Sequence, residues 1–262
     1  MGYWLKSKCI VIIGGTTGIG ISAAKAFLQV GANLILVGMD EGESGSLAHG
    51  WQKKVFVRTA DARQEETASQ AIEMCLQKFG SFDGLYHIAG GSGRKFGDGP
   101  LHEMSKEAWD QTFNLNLSSL MLSNRAAVRS FMELGKGGSI LNLTTALAYS
   151  PSPHYFTTHA YAAAKSAVIG LVKSTAAYYA PFNIRINALA PGLIETPMSQ
   201  RAMGDEAIVS YVRSKQPLDG GRPGRPDDLD GAAIYFMSDA SRFTTGQIMA
   251  VDGGWGVSEG KL

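Results

Sequence analysis

The feature that most constrains this chain is a short glycine loop set between an apolar run and an amphipathic one. Residues 9–13 (CIVII) read as a strand, and residues 19–30 as a helix ending near Gly31. Between them runs Gly14-Gly15-Thr16-Thr17-Gly18-Ile19-Gly20. A strand that turns sharply into a helix needs glycine at the turn, Gly14, and where the helix packs on the sheet, Gly20. Gly18 leaves room for backbone to approach a pyrophosphate at the open N–H groups of a helix N-terminus. Taken alone, such a loop fits a structural turn equally well. Its weight comes from standing at the head of a long alternation of strands and helices.

Further short runs rich in Val, Ile and Leu read as strands at 33–37, 55–58, 84–88, 139–143, 184–189 and 248–251. Helical patterns fall at 64–79, 106–134 (one long helix), 160–179 and 226–237. This alternation predicts an α/β fold: a doubly wound parallel β-sheet of the Rossmann type, about seven strands, with helices on both faces. No repeat or linker divides the chain, so one domain over 1–262 is expected. The Gly/Pro-rich stretches 90–100, 151–153 and 217–226 read as loops. Ligands of such sheets bind beyond the carboxyl ends of the strands, so these loops should frame a site, with a lid near 193–222.

Composition narrows the function classes. At 262 residues and 45% hydrophobic, the chain can bury one sizeable core. Lys and Arg number 24 against 23 Asp and Glu, a net charge of +1. That balance argues against a nucleic-acid or anionic-membrane partner. Cys9 and Cys75 are isolated thiols, which read as reduced and buried. The start carries no leader pattern, no run approaches the roughly 20 apolar residues of a membrane span, and Met1-Gly2 lacks a myristoylation pattern. A cytoplasmic protein is expected.

The chemistry-bearing pattern is Tyr161-Ala-Ala-Ala-Lys165, which sets a phenol and an ammonium on one helix face. A nearby cation favours phenolate and should lower the tyrosine toward the working pH, where it can give or take a proton. By itself the pair also fits an ordinary helix surface. It is accompanied, in order, by Trp109-Asp110 leading to Leu115-Asn116-Leu117, by Gly137-Gly138-Ser139-Ile140-Leu141-Asn142-Leu143-Thr144-Thr145, by Ile184-Arg185-Ile186-Asn187-Ala188-Leu189-Ala190-Pro191-Gly192, and by Gly246-Gln247-Ile248-Met249-Ala250-Val251-Asp252-Gly253-Gly254.

With the Gly-x-x-x-Gly-x-Gly spacing, these segments resemble the short-chain dehydrogenase/reductase family over residues 6–256. The resemblance implies an NAD(P)-dependent oxidoreductase that moves a hydride between a nicotinamide cofactor and a carbonyl or secondary-alcohol carbon. It implies catalytic roles for Asn116, Thr145, Tyr161 and Lys165, the asparagine holding a water that links the lysine to solvent. Asn114 should face elsewhere. Thr145 stands where the family has serine, and the longer loop 146–160 leaves Ser150 and Ser152 as alternative hydroxyls. For the cofactor it implies Gly14, Thr16, Thr17, Gly18, Ile19 and Gly20, then Asp61 and Ala62 at the adenine, Ala89 and Gly90 at the ribose, and Tyr161 and Lys165. Beyond strand six it implies Pro191, Gly192, Ile194 through its backbone, and Thr196. Two departures stand out: Ile13 replaces a threonine, and His87-Ile88-Ala89-Gly90 replaces Asn-Asn-Ala-Gly. His87, at a strand end, reads as structural.

The second strand's end should select the cofactor. Gly38 and Met39 occupy the family's usual acid and arginine positions, while Asp40, Glu41 and Glu43 follow. Three acids repel a 2′-phosphate, so NAD through Asp40 is expected, with NADP the alternative. The family pattern implies a homo-oligomer, a homotetramer, paired through the helices 106–134 and 160–179. Two other readings compete: a non-catalytic NAD(P)-binding sensor or scaffold, and an enoyl reductase. The substrate is open, a small alcohol or ketone.

Overall fold

The strands are apolar along their whole length because helices cover both faces of the sheet. In the computed structural model, which describes residues 4–260, strands β1 (Cys9–Ile13), β2 (Asn33–Gly38), β3 (Val55–Thr59), β4 (Gly84–His87), β5 (Gly138–Leu143), β6 (Ile184–Pro191) and β7 (Ile248–Val251) form one sheet. The Met1-Gly2 reading lies outside the described residues. The strand order is β3-β2-β1-β4-β5-β6-β7, and every pairing is parallel. The doubly wound sheet expected from the alternation is therefore present. The chain crosses from one edge back to the centre between β3 and β4, which makes the β1/β4 junction the switch point where a ligand crevice opens.

The helices are α1 (Gly18–Gln29), α2 (Ser44–Gly50), α3 (Thr67–Phe79), α4 (Lys106–Phe113), α5 (Ser119–Leu134), α6 (His159–Tyr179), α7 (Gln200–Met203), α8 (Glu206–Lys215) and α9 (Asp230–Met237). Alternate residues of β1 feed opposite cores, as the two-residue period of a strand requires. Ile10 and Ile12 pack with Phe27 of α1 and Phe236 of α9, while Val11 and Ile13 pack with Ile72 of α3, Phe131 of α5 and Val172 of α6. Cys9 and Cys75 are buried free thiols in the second of these cores. A third, small core joins Ile208 and Val212 of α8 to Trp255 and Ala146, and so fastens the segment after β6 over the sheet end.

Three local differences from the sequence reading have physical causes. The predicted helix 106–134 is broken by a π-helical turn, Asn114–Ser118, between α4 and α5. Such a turn inserts one extra residue and re-aims a side chain, here the fully buried Asn116. Helix α2 was not expected, because SGSLAHG carries two glycines and almost no apolar period. The helix expected at 226–237 begins as a 3-10 turn, Pro226–Leu229, with proline in its first turn. No helix among the described residues is long and apolar enough to cross a membrane.

Candidate active site

A cleft of about 550 Å³ opens at the carboxyl ends of β1 and β4. Its floor is the glycine loop. Gly14 adopts φ +88°, and a side chain there would put Cβ 2.6 Å from the backbone nitrogen of Ala89. Ala89 and Ile88 in turn donate their N–H groups to Ile13 O, at 2.9 and 2.8 Å. A Cβ at Gly20 would collide with Gly14 O, so α1 starts hard against the loop. Thr17 makes no side-chain cap to α1, and the first turn of α1 holds no acid. Gly20 N donates to Thr17 O at 3.1 Å, which leaves the N–H groups of Gly18 and Ile19 to face an anion. This bare cradle, too tight for side chains, fits the pyrophosphate of a dinucleotide.

Of the predicted cofactor residues, Gly14, Thr16, Thr17, Gly18, Ile19, Asp40, Asp61, Ala62, Ala89, Gly90, Tyr161, Lys165 and Thr196 line this one cleft. Gly20 underlies it. A Cβ at Gly18 would touch Thr196 Cγ2 at 3.3 Å, which brings the glycine loop against the segment after β6. Thr196 is also tied to Ser199, whose Oγ accepts from its backbone N–H at 2.9 Å. Pro191, Gly192 and Ile194 do not line the cleft. Pro191 ends β6 beside Val251. Gly192 packs against Gln216, whose Oε1 accepts from Leu193 N at 2.5 Å. Ile194 bridges to Gly224, and that pairing uses the N–H of Glu195 and the C=O of Leu193, leaving Ile194's own backbone groups out of it.

The β2 end explains an oddity of the sequence. A Cβ at Gly38 would collide with Thr16 Oγ1, so the position of the family's usual acid has no space for one. Asp40, two residues on, is exposed on the cleft wall. Lys25 is taken up by Glu43 at 2.9 Å. On the opposite wall Asp61 is gripped by Arg63, with Nη2 2.6 Å and Nε 2.9 Å from Oδ2, and this pairing holds the Asp61 carboxyl below its usual range. The sequence reading missed Arg63, whose charge is spent on its neighbour.

At the other end of the cleft stand Tyr161 and Lys165, two of the four residues expected to be catalytic; Thr145 and Asn116 do not line it. Tyr161 is 9% exposed and Lys165 2%. Burial pushes the Tyr161 phenol up to about 12, while a hydrogen bond from Thr145 works the other way. The expected lowering by Lys165 is outweighed, for a geometric reason: its Nζ donates to Leu143 O at 2.8 Å and lies 6.0 Å from the Tyr161 ring centroid. Burial instead brings Lys165 itself down to about 8. Thr145, two residues past β5, is extended, and its Oγ1 accepts loosely from Leu147 N at 3.4 Å.

Asn116 does not line the cleft but lies directly behind it. Its Nδ2 donates to Gly91 O and to Thr112 O, each at 2.9 Å, and its Oδ1 accepts from Gly91 N at 3.0 Å. A Cβ on Gly90 would stand 2.8 Å from Asn116 Oδ1 and 3.3 Å from Lys165 Nζ, so Gly90 is what lets the two meet. Ser150 is occupied elsewhere, its carbonyl accepting from Trp255 Nε1 at 3.0 Å, and Ser152 is buried with its carbonyl bonded to Phe156 N.

Asp98, which nothing local in the sequence marks, holds the start of α6 in place. It is buried, and its two oxygens accept from Ala160 N at 3.0 Å and Tyr161 N at 2.9 Å. It thus caps α6 from a loop some sixty residues away, a favourable charge at a helix N-terminus. His87 is fully buried, with Nδ1 3.0 Å from Ser123 Oγ and Nε2 unpartnered. Burial and the nearby Lys165 push it down to about 3, so it is neutral, as a structural histidine should be.

A family model described as Enoyl-(Acyl carrier protein) reductase matches residues 14–256. The 2,5-dichloro-2,5-cyclohexadiene-1,4-diol dehydrogenase of Sphingobium indicum is 34% identical, covering 96% of this chain and 98% of its own. The 2-dehydro-3-deoxy-D-gluconate 5-dehydrogenase of Escherichia coli is 31% identical, with 96% of each chain covered. A short-chain type dehydrogenase/reductase from Mycobacterium ulcerans superposes with a TM-score of 0.87 at 27% identity, covering 97% of this chain and 91% of that one. Alignment of this extent, on a sheet whose crevice carries the glycine cradle at one end and Tyr161 with Lys165 at the other, leads to one conclusion: the chain belongs to the short-chain dehydrogenase/reductase family, and it is an oxidoreductase moving a hydride between a nicotinamide cofactor and a carbonyl or secondary-alcohol carbon.

Proposed function

We propose that Tyr161 is the proton donor and acceptor of this reaction, that Thr145 positions the substrate oxygen, and that Lys165 and Asn116 connect the tyrosine to solvent. The observation that carries this reading is that Tyr161 and Lys165, one helical turn apart, line the same cleft as the glycine cradle, at the end away from the adenosine wall, with Thr145 close enough to the phenol to oppose its rise. A bound nicotinamide supplies or accepts the hydride. The protein's own part is proton management. The Tyr161 phenol, held up near 12 by burial, stays protonated through the neutral range and can hand its proton to a carbonyl oxygen held by Thr145. Lys165, at about 8, exchanges protons near neutrality and so can restore the one Tyr161 gives up. In the alcohol-oxidising direction the same groups run in reverse. Replacing Tyr161 by Phe keeps the ring but removes that proton; turnover in a panel of ketones should collapse while cofactor binding persists.

For the cofactor we favour NAD. Asp40 is the free carboxylate at the β2 end, Arg63 is neutralised by Asp61, and Lys25 by Glu43. A 2′-phosphate would meet acid there and no unspent cation on β2. Comparing NADH and NADPH binding in the wild type and in Asp40→Ala tests this: tighter NADPH binding by the wild type sinks it. The segment 193–222, with α7 and α8, would serve as the lid over the substrate within a single domain. We also favour a homotetramer built on α5 and α6, whose outer faces expose Met121, Met132 and Tyr178; light scattering at micromolar concentration checks it.

A further inference from the structure

One buried amide ties the far end of α8 to the segment that reaches the glycine loop. Gln216 follows α8, is 2% exposed, and closes that helix with its backbone N–H on Val212 O at 2.7 Å. Its side chain grips Leu193 in both directions: Oε1 accepts from Leu193 N at 2.5 Å, and Nε2 donates to Leu193 O at 3.4 Å. A carboxamide that accepts from and donates to one residue's backbone stands in for a neighbouring strand. Two glycines make room for it. A Cβ at Gly192 would stand 2.5 Å from Gln216 Oε1, and one at Gly253 would stand 3.1 Å from Gln216 Cβ. Gly192 N donates to Val251 O and Leu218 N to Gly253 O, so the turns after β6 and β7 both close around this side chain.

From Leu193 the contact reaches the cleft within three residues. Leu193 O also accepts from Gly224 N at 2.9 Å, and Glu195 N donates to Gly224 O at 2.8 Å. Thr196 follows. It lines the cleft with Pro197, and a Cβ at Gly18 would touch Thr196 Cγ2 at 3.3 Å. Segment 193–196 is therefore supported along its length by Gly224 and held at its root by Gln216. The body of α8 is packed through Ile208 and Val212 in the small core around Trp255.

We propose that Gln216 is a positioning residue for the cofactor: it sets segment 193–196 against the glycine loop, and so couples α8 of the lid to the part of the dinucleotide beyond its adenosine. The proposal rests on the reading of Thr196 as a cofactor contact and of 193–222 as the lid.

The test uses the full chain and compares NADH binding, by fluorescence titration, with AMP binding, by calorimetry; AMP lacks everything beyond the first phosphate. Gln216→Glu keeps the shape. Protonated, its carboxyl donates and accepts as the amide does; ionised, it turns an acceptor oxygen toward Leu193 O. Burial raises a carboxyl, so the variant crosses between these forms over about pH 5 to 8. The charged groups on the adjoining segments are engaged: Asp252 accepts from Gly254 N at 3.0 Å and Gly256 N at 2.8 Å, Lys215 Nζ donates to Ser258 O at 2.5 Å, and Arg213 packs against Gly221.

Relative to wild type at the same pH, Gln216→Glu should bind NADH within about 2-fold at pH 5 and about 10-fold more weakly at pH 8, the scale of one buried hydrogen bond, with AMP binding unchanged. Gln216→Met, which can make neither bond, should lose about 10-fold for NADH at both pH values and nothing for AMP. Circular dichroism establishes that each variant is folded, and where one is not, the other decides. Equal losses for NADH and AMP, NADH binding by Gln216→Met within about 2-fold of wild type, or a loss in folded Gln216→Glu that does not change with pH, overturns the proposal. The reading of Thr196 is tested apart from it by Thr196→Val: undiminished NADH binding there removes Thr196 from the cofactor, whereas the role of Gln216 stands or falls on its own variants.

Discussion

Replacing Lys165 by methionine should stabilise the fold while abolishing turnover. Lys165 is 2% exposed, and burial lowers it from 10.5 to about 8. At pH 7 the group is protonated in both folded and unfolded chains, so the fold bears the whole desolvation cost, about 3 kcal/mol at 1.36 kcal/mol per pKa step. Methionine matches the side chain's length and removes the charge, but it strands Leu143 O, the acceptor of the Lys165 Nζ bond. A buried carbonyl left without its donor costs about 1 kcal/mol or more, so the net gain should be about 2 kcal/mol.

The sign in pH is distinctive. A base whose folded value is depressed weighs on the fold at every pH below that value. The weight lifts as the folded lysine gives up its proton while the unfolded one still keeps it, between about pH 8 and 10.5. Of the wild-type penalty, about 2 kcal/mol should therefore vanish between pH 7 and pH 9.5, while Lys165→Met shows no such recovery. Urea unfolding of both proteins without cofactor, at a series of pH values, measures this directly. A stability difference that stays constant across the range would refute the argument that burial lowers Lys165. A less stable variant at pH 7 would show that the Leu143 contact outweighs desolvation.

The remaining expectations follow from the same site. Tyr161→Phe should lower the rate by about 100-fold or more with NADH binding little changed, as fluorescence titration would show. Thr145→Val should lose turnover while Ser150→Ala and Ser152→Ala retain it; a dead serine variant beside an active Thr145→Val would move the catalytic hydroxyl into loop 146–160. Ketone reduction should hold level up to about pH 8 and fall above it as Lys165 loses its proton, whereas alcohol oxidation should rise over the same range; a reduction rate flat to pH 10 would remove Lys165 from the proton path. Asp98→Ala should destabilise the protein by about 1–2 kcal/mol, the loss of a helix cap, and should impair kcat by letting Tyr161 shift; unchanged denaturation and kinetics would deny Asp98 its positioning role.

Much of the fold is legible in the chain because its signals are local. Each strand is a short apolar run, and the parallel sheet follows from the alternation of such runs with helical periods. The glycine cradle is legible because each glycine stands where a Cβ has no room, and the Tyr161–Lys165 pair because helical periodicity places both on one face. The elements not read from the sequence include α2, with two glycines in seven residues, the π-helical turn at Asn114–Ser118, whose extra residue no apolar pattern reports, and α8, which lies in the stretch read only as a lid.

What the sequence by itself determined, then, is the order of elements and the family, and it put forward Tyr161 as the reacting phenol. Tertiary structure alone decided how that phenol is surrounded. Gly38 is barred to an acid by Thr16, Arg63 is spent on Asp61, Asp98 reaches across the chain to cap α6, and Lys165 turns to Leu143 O instead of the Tyr161 ring. The physical reason is range. Periodicity and turn chemistry act over a few residues and are written in order, whereas charge, burial and hydrogen-bond partnership act through space, between groups that only the packed sheet brings together.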